Sequence, residues 1–190
     1  MLTAYSRLKL CYYWLLVAEA FAAGGVLCSP WFAVGEVSFS VWATTPDELA
    51  PCAAVYSRHL GYACLCTHQA SLHLMHKAGL VLCGCTALSV VALLGQLANL
   101  ERKLLQLETG AALLRSCIDT DKLHVASSFF MAIGVLAWFN ALDRSGSLTS
   151  VELRPCEGAF ATLAGTFCLA VAGLYYWGAA RPAYLAEARR

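Results

Sequence analysis

AGLVLCGCTALSVVALLGQLA, residues 78–98, is a run of aliphatic, small and sulfur-bearing side chains without a single charge. A hydrocarbon core about 30 Å thick takes about 20 apolar residues in a helix, so this stretch is expected to cross a bilayer. Working outward, three more runs of that kind are bounded by charge: LCYYWLLVAEAFAAGGVLC at 10–28, LHVASSFFMAIGVLAWFNAL at 123–142 and GAFATLAGTFCLAVAGLYYWGAA at 158–180. Each is too long and too evenly apolar for a surface helix. Without water to bond the backbone, only helices or a closed barrel satisfy their own N–H and C=O groups in lipid. The reading is an all-α membrane protein, a four-transmembrane-helix bundle forming one domain over residues 1–190, with loops at 29–77, 99–122 and 143–157.

Composition agrees. Of the residues, 59% are hydrophobic and 13% charged, against about 45–50% and about 25% in an ordinary soluble domain. A net charge of +1, from 13 Lys and Arg against 12 Asp and Glu, leaves no basic excess to neutralise a phosphate backbone, so no nucleic-acid partner is expected. Lys and Arg also set orientation, because they remain on the cytoplasmic or equivalent side. Arg7, Lys9, Arg102, Lys103, Arg115, Lys122, Arg181, Arg189 and Arg190 flank the spans on one side, and Arg58, Lys77, Arg144 and Arg154 on the other. Both chain ends are therefore expected on the positive side. A basic start followed by an apolar run is also how a signal peptide begins, but Glu19 interrupts the run, which is read as an uncleaved first span.

The loops carry weaker patterns. Leucines at 100, 104, 105, 107, 113 and 114 have helical spacing, so the second span is expected to continue past the bilayer and break near Gly110. Asp119 and Asp121 precede the third span as acids precede a helix, where the dipole favours negative charge; a capping role is expected. In the long loop, Val37, Phe39 and Val41 alternate with Ser38 and Ser40, which reads as a short β element. After Cys52 the chain is more helical and runs toward the second span. The segment 143–152 echoes the end of an EF-hand loop, but register on Gly146 and Glu152 puts Ala141 at the first ligand position, where calcium needs an acid.

Few residues offer chemistry. Glu19 lies near the middle of the first span, where a carboxylate costs several kcal/mol unless it faces the bundle or a cavity, or is protonated. Ser89, Gln96, Ser127, Ser128 and Thr166 lie at a depth to meet it. A structural hydrogen bond is the leading reading, and a proton or ion site the competing one. Cys64, Cys66, His68, His73 and His76 form the densest group of metal-ligating types, and His73 and His76 share one helical face at i, i+3. One helix aims only some of them at one point, so no metal and no other cofactor is expected, with metal or haem binding as the alternative. In an oxidising compartment a Cys52–Cys64 disulfide would staple the long loop; the other reading makes these cysteines small apolar packers. Ala22, Ala23, Gly24, Gly25, Gly84, Gly165 and Gly173 permit close helix approach, within or between chains.

Trp31, the run Ser38-Phe-Ser-Val-Trp42, Cys52 and Cys64, set in a long first loop between the first two of four spans, resemble the claudin and amastin type of tetraspan protein. Claudins carry a Trp and then Gly-Leu-Trp-x-x-Cys with a second Cys about ten residues on; here the Gly-Leu is absent and Trp42 and Cys52 are ten residues apart. Ser38 stands where amastins have their first Cys. The resemblance implies an adhesive, barrier or complex-organising role. With no nucleophile elbow, phosphate-binding glycine loop or paired acids, no enzyme activity and no small-molecule substrate are expected. The leading expectation is a structural accessory subunit that packs laterally against other integral membrane proteins and lipids, in an energy-converting organelle membrane such as that of the mitochondrion. A plasma-membrane adhesion or barrier tetraspan and a channel or transporter using Glu19 are the alternatives.

Overall fold

Helix α1 spans Ala4–Cys28, α2 Gln69–Thr109 and α3 Ala126–Leu148, the last entered through a 3-10 turn at Thr120–Val125. Helix α4, Glu157–Tyr175, passes through a π turn at Tyr176–Ala180 into α5, Arg181–Glu187. This computed structural model describes residues 3–28, 30–34, 37–39, 41, 69–110, 120–148 and 153–188. Four helical stretches, Ala4–Cys28, Leu74–Thr109, Asp121–Ser145 and Glu157–Glu187, are long and apolar enough to cross a membrane. The protein is an integral multi-pass membrane protein. Its outward side chains fit that solvent: Phe21, Leu94, Leu136 and Phe167 are 61–70% exposed, a loss in water but neutral among lipid tails.

The helices outrun the apolar stretches that mark them. Helix α2 has 41 residues, about 60 Å at 1.5 Å per residue, twice a hydrocarbon core. It takes in His76 and Lys77 from the expected loop 29–77, and Asn99 to Thr109 from the expected loop 99–122, before stopping at Gly110, whose φ of +66° is the left-handed conformation that closes many helices. Helix α3 likewise runs to Leu148, so Asp143–Gly146 are helical rather than part of a 143–157 loop. The physical reason is that hydropathy reports depth in lipid, whereas helix formation needs only backbone bonding, which Lys, Glu and Arg support well.

Small residues join α1 to α4. A Cβ on Gly165 would lie 2.5 Å from Ala22 N and 2.8 Å from Ala18 O, and one on Gly158 would lie 2.8 Å from Gly25 O. The two backbones thus meet directly, and Thr162 Oγ1 donates to Ala22 O at 3.1 Å across the seam. A second close approach joins α2 to α3, where a Cβ on Gly134 would lie 2.9 Å from Cys85 Cβ. Of the small residues noted in the sequence, Gly25, Gly165 and Ala22 are spent inside the chain, while Gly24 and Gly84 have open space around them.

Beyond the ends of α1 and α3, three short strands pair in the order β2-β1-β3: β1 is Phe32–Val34, β2 Val37–Phe39 and β3 Leu153–Pro155. Both pairings are antiparallel, with Phe32 opposite Phe39 on one side and opposite Pro155 on the other. The sheet is rooted by Trp31, fully buried, whose Nε1 donates to Gly25 O at 2.7 Å and whose ring meets Trp138 edge-on at 4.7 Å. Cys156 N donates to Trp31 O at 2.8 Å and Gly158 N to Pro30 O at 2.9 Å. Two loops far apart in the chain are thereby tied to the same end of the helices.

Candidate functional site

On α2, Thr86, Ser89, Gln96, Asn99, Lys103 and Gln106 recur at steps of three, four or seven residues, which places them on one helical face. The first four are buried. A buried polar group must find a partner or lose about 1–3 kcal/mol, and five of these six find it on another element. Ser89 Oγ donates to Glu19 Oε2 on α1 at 3.0 Å. Gln96 Nε2 donates to Leu123 O and, at 3.0 Å, to Ser127 Oγ. Asn99 Nδ2 reaches Asp121 Oδ1 at 3.2 Å, and Gln106 Oε1 accepts from Tyr184 OH at 2.6 Å. Thr86 instead bonds back to Leu82 O on its own helix at 2.8 Å. Helix α2 is therefore hydrogen-bonded to α1, to the 3-10 turn and start of α3, and to α5, while α4 bonds to α1.

The densest point of this stripe is Asp121. Its Oδ1 accepts from Asn99, from Lys103 Nζ and, at 2.6 Å, from Tyr176 OH; its Oδ2 accepts from Arg181 Nε at 2.9 Å. Lys103 Nζ also bonds Tyr176 OH and lies 5.1 Å and 5.2 Å from the ring centres of Tyr176 and Tyr184. Arg181 stacks over Trp177 at 4.7 Å. The π turn makes this geometry. Arg181 N donates to Tyr176 O, an i→i+5 bond that brings residue 181 back over residue 176, whereas five residues in an α-helix overshoot one turn of 3.6. Pro182 follows directly; it has no N–H for the carbonyl four residues earlier and disfavours regular α-helix there. The capping role expected of Asp121 is thus incomplete: it does sit in the first turn of the 3-10 segment, but its carboxylate is taken up by four side chains. Asp119 lies outside the described residues.

Glu19 is 4% exposed and turned into the packed helices. Of the depth-matched residues, the structure brings Ser89 to it; Gln96 and Ser127 pair with one another, Ser128 bonds Val125 O and Thr166 bonds Thr162 O on their own helices. Among the described residues, Glu19 Oε1 is the buried side-chain oxygen without a hydrogen-bond partner. Of the cysteine and histidine group, Cys64, Cys66 and His68 lie outside the described residues, as does Cys52, so the disulfide with Cys64 falls there too. His73 is on α2 with its side chain undescribed, and His76 is half-buried one turn on. Among the described residues no three His, Cys, Asp or Glu come together to hold a metal. Cys11, Cys28, Cys83, Cys85, Cys156 and Cys168 are free thiols. Partial burial and the adjacent Glu157 carboxylate raise the pKa of Cys156, which keeps it a thiol at neutral pH.

From the sequence Asp121 is expected only as a cap, Lys103 and Arg181 bear only on orientation, and Tyr176 is not singled out; none is expected to form a cluster. The recurring polar positions on α2 carried the signal, since a face of Thr, Ser, Gln, Asn and Lys inside or beside a membrane span must be paired. What this arrangement does chemically is hold helices in register; among the described residues the Asp121 carboxylate is saturated by donors. No protein-family model, curated protein or solved structure matches the chain.

Proposed function

We propose that the protein is a non-catalytic structural membrane subunit, a four-span bundle with both ends on its positively charged side, which assembles laterally with other integral membrane proteins. The observation that carries this reading is the joining of the two loops at one end of the helices into one sheet, β2-β1-β3, seated on the helices by Trp31 and Trp138. A sheet of this kind is a fixed platform rather than a moving gate. The interior supports the same reading: its polar side chains tie helix to helix, which favours rigidity over the alternating states a carrier needs.

The platform also supports a second, narrower reading. Claudins have a small β-rich first loop, so the resemblance to them implies such an element here, and on that reading the protein works at the cell surface in adhesion or barrier formation rather than as an accessory subunit in an organelle. Gentle detergent extraction followed by native gels and mass spectrometry of the co-migrating proteins tests both. Respiratory or other energy-converting subunits are expected from the first reading and adhesion proteins from the second. A stable monomer that carries no other protein would overturn the subunit reading.

A further inference from the structure

Between α3 and α4 an open trough of about 600 Å³ faces away from the packed interior, within the roughly 300–1,000 Å³ of ligand clefts. It exists because small side chains meet there: Ala126 and Ala132 on α3 lie across from Thr166 and Ala170 on α4, while Phe129 and Phe167 stand exposed along it. The hydroxyls in the trough are already used, Ser128 on Val125 O and Thr166 on Thr162 O, so its wall is apolar. At one end stands Lys122, exposed. The acid beside it in the chain, Asp121, is committed to Lys103 and Arg181.

We propose that this trough seats the headgroup-proximal part of one acyl chain of an anionic phospholipid whose phosphate is held by Lys122. The charge and the apolar wall are arranged as that molecule is: a cation where the third membrane-crossing stretch begins, and an apolar channel leading from it along the helices. The trough runs along α3 from Val125 to Ala132, about 10 Å at 1.5 Å per residue. A docked transmembrane helix would need a seam along most of the roughly 30 Å core. Lys122 belongs to the side richer in Lys and Arg, and the cytoplasmic leaflet is the one that carries anionic lipid. The proposal rests on the orientation reading only for which leaflet supplies the lipid; labelling of the two sides tests orientation separately.

The test uses the full chain, delipidated in detergent and offered phosphatidylglycerol or phosphatidylcholine, with bound lipid counted by native mass spectrometry. Phosphatidylglycerol is expected to bind about fivefold more tightly, the ratio that one basic residue near an anionic surface supplies. Lys122→Gln should bring the two lipids level without changing thermal stability in lipid-free detergent, and Lys122→Arg should keep the preference. Ala132→Phe, which fills the trough, should lower retention of both. Equal binding of the two lipids by the unaltered chain, or a preference that survives Lys122→Gln, overturns the proposal. So does an Ala132→Phe variant that keeps its lipid but loses a partner protein or a second copy, because the trough then belongs to a helix. Competition by inorganic phosphate alone, with no effect of Ala132→Phe, would show a headgroup site without the acyl chain and equally overturn it.

Discussion

Asp121 neutralises two cations from different helices, Lys103 of α2 and Arg181 of α5. Its side chain is 17% exposed and that of Lys103 12%, so water screens the pair only in part. Asp121→Asn keeps the shape and removes the charge; it is expected to destabilise the helices by about 1–3 kcal/mol, the scale of hydrogen bonds to charged groups. Adding Lys103→Met to it should cost less than the two single changes together, since the lysine has already lost its counter-charge. Denaturant unfolding in micelles measures both. Glu19 is a different case, with one oxygen bonded to Ser89 and the other without a partner among the described residues. Glu19→Gln retains size and hydrogen bonding and should leave assembly nearly intact, whereas Glu19→Leu should weaken it by about 1–2 kcal/mol, as the loss of an interhelical bond in a membrane does. Loss of a proton or ion flux in reconstituted vesicles on Glu19→Gln, with assembly preserved, would replace the structural role with a transport role.

Helices pair here by two devices that respond to mutation differently. The α1–α4 seam depends on absent side chains: a Cβ at Gly165 would meet Ala18 and Ala22 backbone at 2.5–2.8 Å, and backbone does not move aside as a flexible side chain does. Gly165→Ala is expected to cost about 1–3 kcal/mol by overpacking. Gly84→Ala is the matched control, since nothing lies within 4 Å of its Cβ position, and it should raise stability by about 0.5–1 kcal/mol through the lower backbone entropy of Ala in a helix. Thermal unfolding of the two variants in the same detergent compares them directly. The second device is the polar face of α2, where each bond is worth about 0.6–2 kcal/mol in a membrane. Its contribution lies in direction: Ser89, Gln96 and Lys103 each accept only one rotation of α2 against its neighbours.

For the molecule as a whole, the arrangement sorts chemistry to two ends. Arg7, whose Nη1 donates to Ala179 O at 3.3 Å, lies with Lys103, Asp121 and Arg181 at one end; Trp31, the sheet and Arg154 lie at the other. If the cationic end is the cytoplasmic or equivalent side, reactive tags placed at residue 60 and at residue 110 should label from opposite sides of sealed vesicles. Labelling of both from the same side would overturn the four-span orientation.

The number and approximate place of the membrane-crossing stretches were legible in the chain, because a bilayer imposes a length and a hydropathy that any sufficiently long window reveals. The stop of α2 at Gly110 was legible for a similarly local reason, a residue that tolerates positive φ after a run of helical spacing. Strand β2 lies within the alternating stretch 37–41, but β1 and β3 show no period in three residues each, and pairing Phe32 with Pro155 is a contact between segments far apart in the sequence. Ser89 could be named as one of several partners for Glu19, but choosing it from the others required the rotation of α1 against α2. The Asp121 cluster drew on an interhelix approach and on the π turn that turns Arg181 back over Tyr176. Composition and spacing determined that this chain lives in a membrane as helices. Only the tertiary structure decided which polar groups meet, since a hydrogen bond depends on positions to within a few tenths of an ångström, a precision that neither hydropathy nor spacing along a single helix contains.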